Sequence, residues 1–266
     1  MIDIGVNLTS SQFSKDWKQV IKAAVQADVQ TMIITGTSLQ HSIAASQMAL
    51  AYPGILYSTA GIHPHDAKTF NQQSIAQLRS LLEEPRVVAV GECGLDFNRN
   101  YSTRTEQLQC FEAQLELAAE LRLPVFLHQR DAWQEYIVLL KRYRDRLTDG
   151  VAHCFTQTKT ELKQLLDLDL HIGITGWLCD ERRGKDLQDC VSMIPLERVM
   201  IETDAPYLLP RDLNLSVKGT KKLRRNEPQY LAHIVNTLAY HRGDDVQRLK
   251  NATTENASRF FRLSLP

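Results

Sequence analysis

Val87-Val-Ala-Val-Gly-Glu92, then Thr103-Arg-Thr-Glu106, then Pro124-Val-Phe-Leu-His128 decide the fold of this chain. The first is a short apolar run, rich in β-branched residues, of the length that suits a buried strand. The second has the form of a capping box, in which a threonine and a glutamate three residues on satisfy each other's backbone donors and open a helix. A stretch of helical period follows over 106–121. Proline at 124 opens the next apolar run instead of interrupting it, which a strand tolerates. Strand, helix and strand in that order mean parallel pairing through a right-handed crossover.

The same unit recurs on both sides. Apolar runs at 2–7, 31–36, 55–61, 87–92, 125–128, 151–155, 171–175 and 199–202 alternate with helical stretches at 17–27, 42–51, 74–82, 106–121, 133–143 and 161–168. In the first of these stretches Val20, Ile21, Ala24 and Val25 share one face, the apolar stripe that a surface helix needs. After the eighth run comes a polar segment, 205–225, and then helices near 231–239 and 245–261, with Asn226 and Pro228 as the capping side chain and first-turn proline. Eight runs match a closed (β/α)8 or TIM barrel of the α/β class; an open doubly wound sheet is the alternative. No linker or fixed-period repeat divides the chain, so residues 1–266 read as one domain.

Bulk composition narrows the function classes. The chain is 43% hydrophobic and 23% charged with a formal charge of zero, so any polyanion site must be a local patch. The cysteines (Cys93, Cys110, Cys154, Cys179, Cys190) are odd in number and lack a C-x-x-C pair, which favours free thiols in a reducing, cytoplasmic compartment. The opening Met-Ile-Asp-Ile-Gly reads as a strand and not as a signal peptide. No apolar run approaches the ~18 residues of a membrane span. With no evident interaction segment, a monomer is expected.

The ionisable residues fall where chemistry would need them. His63 follows the third run, Glu92 and His128 end the fourth and fifth, His153 lies in the sixth, and Asp204 follows the eighth. In a parallel barrel these strand ends share one rim, where active sites are built. Any one of them alone is more often a satisfied polar residue than a ligand, by about three to one for a lone histidine. Their coincidence at five strand ends is what points to a divalent cation, Mg²⁺, Mn²⁺ or Zn²⁺. His41, His171, His233 and His241 are left as structural or surface residues. Cys93 and Cys154 alternate with the ligand candidates and read as packing.

Several phrases, taken in order, resemble a known family. They are Gly-Ile-His63-Pro-His65, Gly-Glu92-Cys-Gly-Leu-Asp96, Leu-His128-Gln-Arg130-Asp131, His153-Cys-Phe155-Thr, Glu202-Thr-Asp204-Ala-Pro-Tyr-Leu and Arg225-Asn-Glu-Pro228. They are similar to the successive signatures of the TatD deoxyribonucleases. Asp3-Ile-Gly-Val-Asn7-Leu and the segment 176–184 resemble the member for which that family is named. The resemblance implies a metal-dependent nuclease on an amidohydrolase-like TIM barrel, acting 3′→5′ on single-stranded DNA and RNA, usually with Mg²⁺. Most relatives carry His-x-His at the first strand end, where this chain has Gly5-Val-Asn7. Glycine cannot ligate and a neutral amide is a poor ligand, so one ion held by Glu92, His128, His153 and Asp204 is expected.

The roles follow from that inventory. Asp204 takes a proton from the attacking water as general base. Glu92 ligates the ion or bridges two. His63 and His65 hold the scissile phosphate or protonate the leaving oxygen. Arg130 neutralises phosphate or orients Asp131. Between 205 and 226, Arg211, Lys218, Lys221, Lys222, Arg224 and Arg225 face only Asp212, a local charge of six minus one, or +5. That loop is either a solvated charged segment or a phosphate-binding one, with Arg225 as a substrate contact. The charges of 180–184 either add a clamp or satisfy one another. Phe97, Tyr101, Trp177 and Tyr207 are candidates for base stacking. A barrel amidohydrolase or lactonase acting on a small molecule is the competing enzyme class, since fold and metal site do not choose the bond. A non-catalytic nucleic-acid-binding barrel is the third reading.

Overall fold

The computed structural model describes residues 1–213 and 225–264. Eight strands, β1 (Ile2–Val6), β2 (Thr31–Ile34), β3 (Leu56–Ala60), β4 (Val87–Asp96), β5 (Val125–Arg130), β6 (Gly150–Ala152), β7 (His171–Ile174) and β8 (Val199–Ile201), pair in parallel in sequential order. That order excludes the doubly wound alternative, whose strand order must reverse. The ring closes just past β8. Asp204 N donates to Gly5 O at 2.8 Å, Asn7 N donates to Ala205 O at 2.7 Å, and Val6 and Ala205 form a parallel bridge.

Nine helices are present among the described residues: α1 (Trp17–Gln26), α2 (Leu39–Ala51), α3 (Gln72–Leu82), α4 (Arg104–Leu121), α5 (Trp133–Tyr143), α6 (Lys159–Asp167), α7 (Lys185–Gln188), α8 (Leu231–Arg242) and α9 (Val246–Phe260). Local chemistry sets their starts. Thr103 accepts from the Glu106 amide while the Glu106 carboxylate accepts from the Thr103 amide, so the expected capping box opens α4. Asn226 behaves differently from expectation. Its amide donates to the Thr203 carbonyl at 2.9 Å, and Glu227 takes the cap position before Pro228. The side chain therefore ties the last helices to the barrel rim.

Two apolar layers hold the ring. Val125 and Leu127 belong to the outer layer between strands and helices, where Val20, Ile21 and Ala24 of α1 also lie. Phe126 alternates to the other side and shares a cluster with Ile33, Tyr57, Val151 and Met200, joined by Phe260, Phe261 and Leu263. Both layers keep the strands from shifting, so the ends that carry the polar residues are set by the packed core.

Strand limits differ from expectation in one way that matters. β4 runs on to Asp96 and β5 to Arg130, with Gly94 opposite His128 and Asp96 opposite Arg130. A glycine-broken register between Val90 and Cys93 hides this continuation from a search for apolar runs.

Candidate active site

The carboxyl ends of the strands open into a cleft of about 1380 Å³. Glu92, His128 and His153 converge at its floor. Glu92 Oε1 accepts from His128 Nδ1 at 2.8 Å and lies 3.5 Å from His63 Nε2 and 3.6 Å from His153 Nε2. Burial by itself would raise the Glu92 carboxyl, but the His63, His153 and His128 imidazoles outweigh it and hold the group well below the usual carboxylate range. Glu92 is therefore ionised under all ordinary conditions.

Each imidazole is oriented by what its other nitrogen meets. His153 Nδ1 donates to Glu202 Oε2 at 2.6 Å, which turns Nε2 toward Glu92. His128 Nδ1 is engaged by Glu92, and its Nε2 is buried without a hydrogen-bond partner among the described residues. Asp96 Oδ2 lies 3.7 Å from it. His63 is different: its Nδ1 accepts from the His65 amide at 3.1 Å. Burial pushes the His63 ring down to about 3, so it is neutral and its single proton sits on Nε2. His63 thus presents a donor, whereas His128 and His153 present nitrogens suited to ligation.

Buried carboxylates of Glu92 and Glu202 need compensating positive charge. Burial opposes charging of His153, but Glu202 and Glu92 outweigh it and lift the ring to about 10; His128 is raised by Asp96 and Glu92 against the same opposition. Protons on these rings supply the charge that a divalent cation would otherwise bring. The donor set is mixed nitrogen and oxygen, and His128 Nε2 is a buried atom without a hydrogen-bond partner among the described residues, so the residues fit such an ion. Two groups of ligand-type atoms lie here, His63–Glu92–His128 and His153–Cys154–Asp204.

Asp204 sits on the cleft at φ +54°, with Oδ1 accepting from Asn7 Nδ2 at 2.9 Å. Burial raises its carboxyl to about 7; Glu92 and Glu202 add to this, while His153 and Asn7 oppose it. Asn7 therefore enters the site as a hydrogen-bond donor. Gly5 is shaped by the same neighbours: a Cβ there would stand 2.4 Å from Glu202 Oε2 and 3.1 Å from Phe126 Cζ. The Glu202 carboxylate fills the space that a side chain at position 5 would need.

Above this floor, His65 Nε2 donates to Asp96 Oδ2 at 2.8 Å, and its ring packs edge-on against His63 and Tyr101. Burial opposes ionisation of Asp96, but His128, His65 and the Arg99 amide hold its carboxyl well below the ordinary range. Arg130 lies exposed on the rim of the cleft and has no salt bridge among the described residues. Asp131 is held instead by Asn98 Nδ2 at 2.6 Å.

Other expectations give way. Arg225 does not line the cleft among its described residues. Its guanidinium grips Asp16 through two bonds (2.9 and 2.7 Å) and Glu227 at 2.6 Å, over the Phe13 ring. Arg211 points to Asp180 and Glu181, and Asp180 accepts from Arg183, so these charges satisfy one another. Lys218, Lys221, Lys222 and Arg224 lie outside the described residues. Phe97 is buried under Arg104, while Tyr101, Trp177 and Tyr207 do line the cleft. His41 lines it as well, with Nδ1 2.8 Å from Thr37 Oγ1, and so does Cys154. Cys154 adopts φ +48°, which ends the strand alternation on which its packing role rested.

Glu202 and Asp96 were not singled out among the ligand candidates. Both stand within apolar runs or their continuations, and both orient imidazoles. Their signal was an acid two residues before Asp204 and another four after Glu92.

Comparison with known proteins agrees with this geometry. The TatD-related DNase family model matches residues 2–262. The 3′-5′ ssDNA/RNA exonuclease TatD of Rahnella sp. (strain Y9602) is 53% identical over 264 residues, covering 99% of each chain. That of Edwardsiella piscicida is 53% identical over 99% of this chain and 100% of its own. A crystal structure of a TatD homolog from Escherichia coli K12 superposes with a TM-score of 0.87 at 28% identity, covering 99% of this chain and 98% of that one. A barrel whose strand ends bring Glu92, His128 and His153 together, matched over nearly its full length, belongs to the TatD family of DNases.

Proposed function

We propose that this protein is a 3′→5′ exonuclease on single-stranded DNA and RNA, working with one divalent cation, Mg²⁺ by preference. One observation carries the reading: Oε1 of the ionised Glu92 lies within 3.6 Å of a ring nitrogen of His63, His128 and His153 on the floor of a cleft lined by rim aromatics and Arg130. Family membership and relatives that bear that activity in their names favour phosphodiesters over the small-molecule amide or lactone alternative.

Glu92, His128 and His153 would hold the cation, with Asp204 beside them. When bound, such an ion acidifies water and polarises a phosphoryl oxygen. His63 donates its Nε2 proton to a non-bridging oxygen of the scissile phosphate. His65, backed by Asp96, stands where it can protonate the leaving oxygen. Asp204 accepts the proton of the attacking water through the oxygen that Asn7 leaves free. Arg130 meets the phosphate backbone, and Tyr101, Trp177 and Tyr207 offer faces on which bases stack.

All these groups come from one chain, so a monomer suffices. Five free cysteines suit a reducing compartment, the cytoplasm, and no helix among the described residues is long and apolar enough to cross a membrane. The test is degradation of 5′-labelled single strands with Mg²⁺, then with EDTA. Stepwise shortening from the 3′ end that EDTA stops supports the reading. Turnover insensitive to EDTA, or hydrolysis of amides and lactones in place of oligonucleotides, overturns it.

A further inference from the structure

A second cluster of ligand-type side chains stands apart from the floor of the cleft. Cys179 ends the short 3-10 turn Gly176–Cys179 after β7, Asp212 lies on the segment after β8, and His233 belongs to α8. One donor atom from each lies within 4.8 Å of the other two. His233 Nε2 and Asp212 Oδ1 are 2.7 Å apart. Cys179 is buried, whereas the side chains of His233 and Asp212 are 28% and 47% exposed, which leaves a way in for an ion.

We propose that Cys179, Asp212 and His233 form a second metal site, separate from the catalytic floor, that takes a borderline-soft cation such as Zn²⁺. Thiolate, imidazole and carboxylate together are a zinc donor set, while a hard ion such as Mg²⁺ favours all-oxygen sites. The exposed side leaves the fourth tetrahedral position to water. On binding, the Cys179 S–H bond breaks, sulfur keeps the electron pair for the metal, and one proton leaves to solvent. His233 ligates through its Nε2 lone pair with its proton on Nδ1, and Asp212 shifts from accepting that ring to holding the ion. Burial pushes the free thiol up to about 12, so without an ion it stays protonated and inert; a dication reverses that preference.

The consequence is mechanical. The turn that ends at Cys179 carries Trp177, and the segment that reaches Asp212 carries Tyr207, and both aromatics line the cleft. An ion at this site would tie those two walls to α8 from behind.

The test uses the full chain with Co²⁺ as the spectroscopic probe, in excess Mg²⁺. Cys154 supplies a second thiol near the catalytic floor, so variants must separate the two. The thiolate-to-cobalt charge-transfer band is expected in the wild type and in Cys154→Ser, and absent in Cys179→Ser. In His233→Asn, Co²⁺ and Zn²⁺ should bind about 10–100-fold more weakly. Zn²⁺ should also raise the melting temperature of the wild type but not of His233→Asn. A band that Cys179→Ser keeps at wild-type intensity, or no band in Cys154→Ser, overturns the proposal. Should Cys179→Ser fail to fold by circular dichroism, His233→Asn decides: wild-type metal affinity there overturns it as well.

Discussion

Glu202 Oε2 lies 2.6 Å from His153 Nδ1, and Oε1 of the same carboxylate accepts the Cys154 amide at 2.7 Å. Glu202 is fully buried and makes both bonds at the end of β8, so it fixes the ring of His153 with Nε2 toward Glu92. Carboxylate–imidazole pairs of this kind set the tautomer and basicity of a metal-ligating histidine. Glu202→Gln should therefore weaken metal affinity about 10–100-fold. Calorimetric titration with Mn²⁺ checks this, and activity should recover at high metal. An affinity within twofold of wild type would remove Glu202 from this role.

Gly5 bears on the same carboxylate from across the barrel. A Cβ at position 5 would meet Glu202 Oε2 at 2.4 Å and Phe126 Cζ at 3.1 Å, and neither can swing away inside a packed ring. Gly5→Ala should destabilise the fold by about 1–3 kcal/mol, the ordinary cost of overpacking. Gly5→His, which restores one of the two histidines of the His-x-His pattern, should cost more and bring no second ion. Thermal denaturation and metal stoichiometry read the two outcomes; a stable Gly5→His binding two ions would contradict the argument.

Much of this was legible in the chain, and the exceptions have physical reasons. Strand ends could be located because apolar runs and caps such as Thr103–Glu106 are local signals, and strand ends place His63, Glu92, His128, His153 and Asp204 on one rim. Alternation misassigned Cys154 because the chain leaves the strand there at positive φ. Arg225 drew attention as one of a basic run, but its partner Asp16 is 209 residues away, a pairing only the closed ring creates. The family phrases already set His63 and His65 apart from His128 and His153, but the bond from His65 N to His63 Nδ1, which leaves the His63 proton on Nε2, is not a feature of the sequence pattern.

Asp204 sets the expected pH dependence of turnover. Burial raises its carboxyl to about 7, with His153 and Asn7 opposing. A general base must be deprotonated, so kcat/KM should fall about tenfold per unit as pH drops below that value. The positive charge of a bound cation draws the same limb to lower pH. Asp204→Asn should lower turnover by about 10²–10⁴ and leave the fold intact. A pH–rate profile on a labelled oligonucleotide is the measurement, and an acid limb unchanged in residual Asp204→Asn activity would assign the base elsewhere.

Asp3 makes a stability prediction away from the reacting atoms. It is wholly buried and accepts from the amides of Thr203 (2.9 Å) and Gly5 (3.3 Å) and from the Thr203 hydroxyl. Burial raises its carboxyl to about 7, against the lowering effect of those bonds. A raised folded-state value means that the native protein keeps a proton that the unfolded chain releases near pH 4. This contribution is fully present below about pH 4 and is lost as pH rises to about 7. Asp3→Asn should remove that decline, on the order of 4 kcal/mol between the two limits. Urea denaturation of both proteins across that range tests it; parallel pH profiles would show that Asp3 is already ionised in the fold.

Arg130 and Arg225 should separate cleanly by salt. Arg130 is exposed on the rim of the cleft, whereas Arg225 is spent on Asp16 and Glu227. A side chain that neutralises one phosphate contributes about 0.7 to the slope of log affinity against log salt for a single strand. Arg130→Ala should therefore weaken oligonucleotide binding and flatten that slope by about that amount, with the melting temperature unchanged. Arg225→Ala should do the reverse. It breaks a bidentate, partly buried pair, so the melting temperature falls while KM and the salt slope stay at wild-type values. Binding isotherms at several ionic strengths, paired with melting curves, decide between these patterns. If Arg225→Ala flattened the salt slope without loss of stability, the guanidinium would have to leave Asp16 for the nucleic acid on binding.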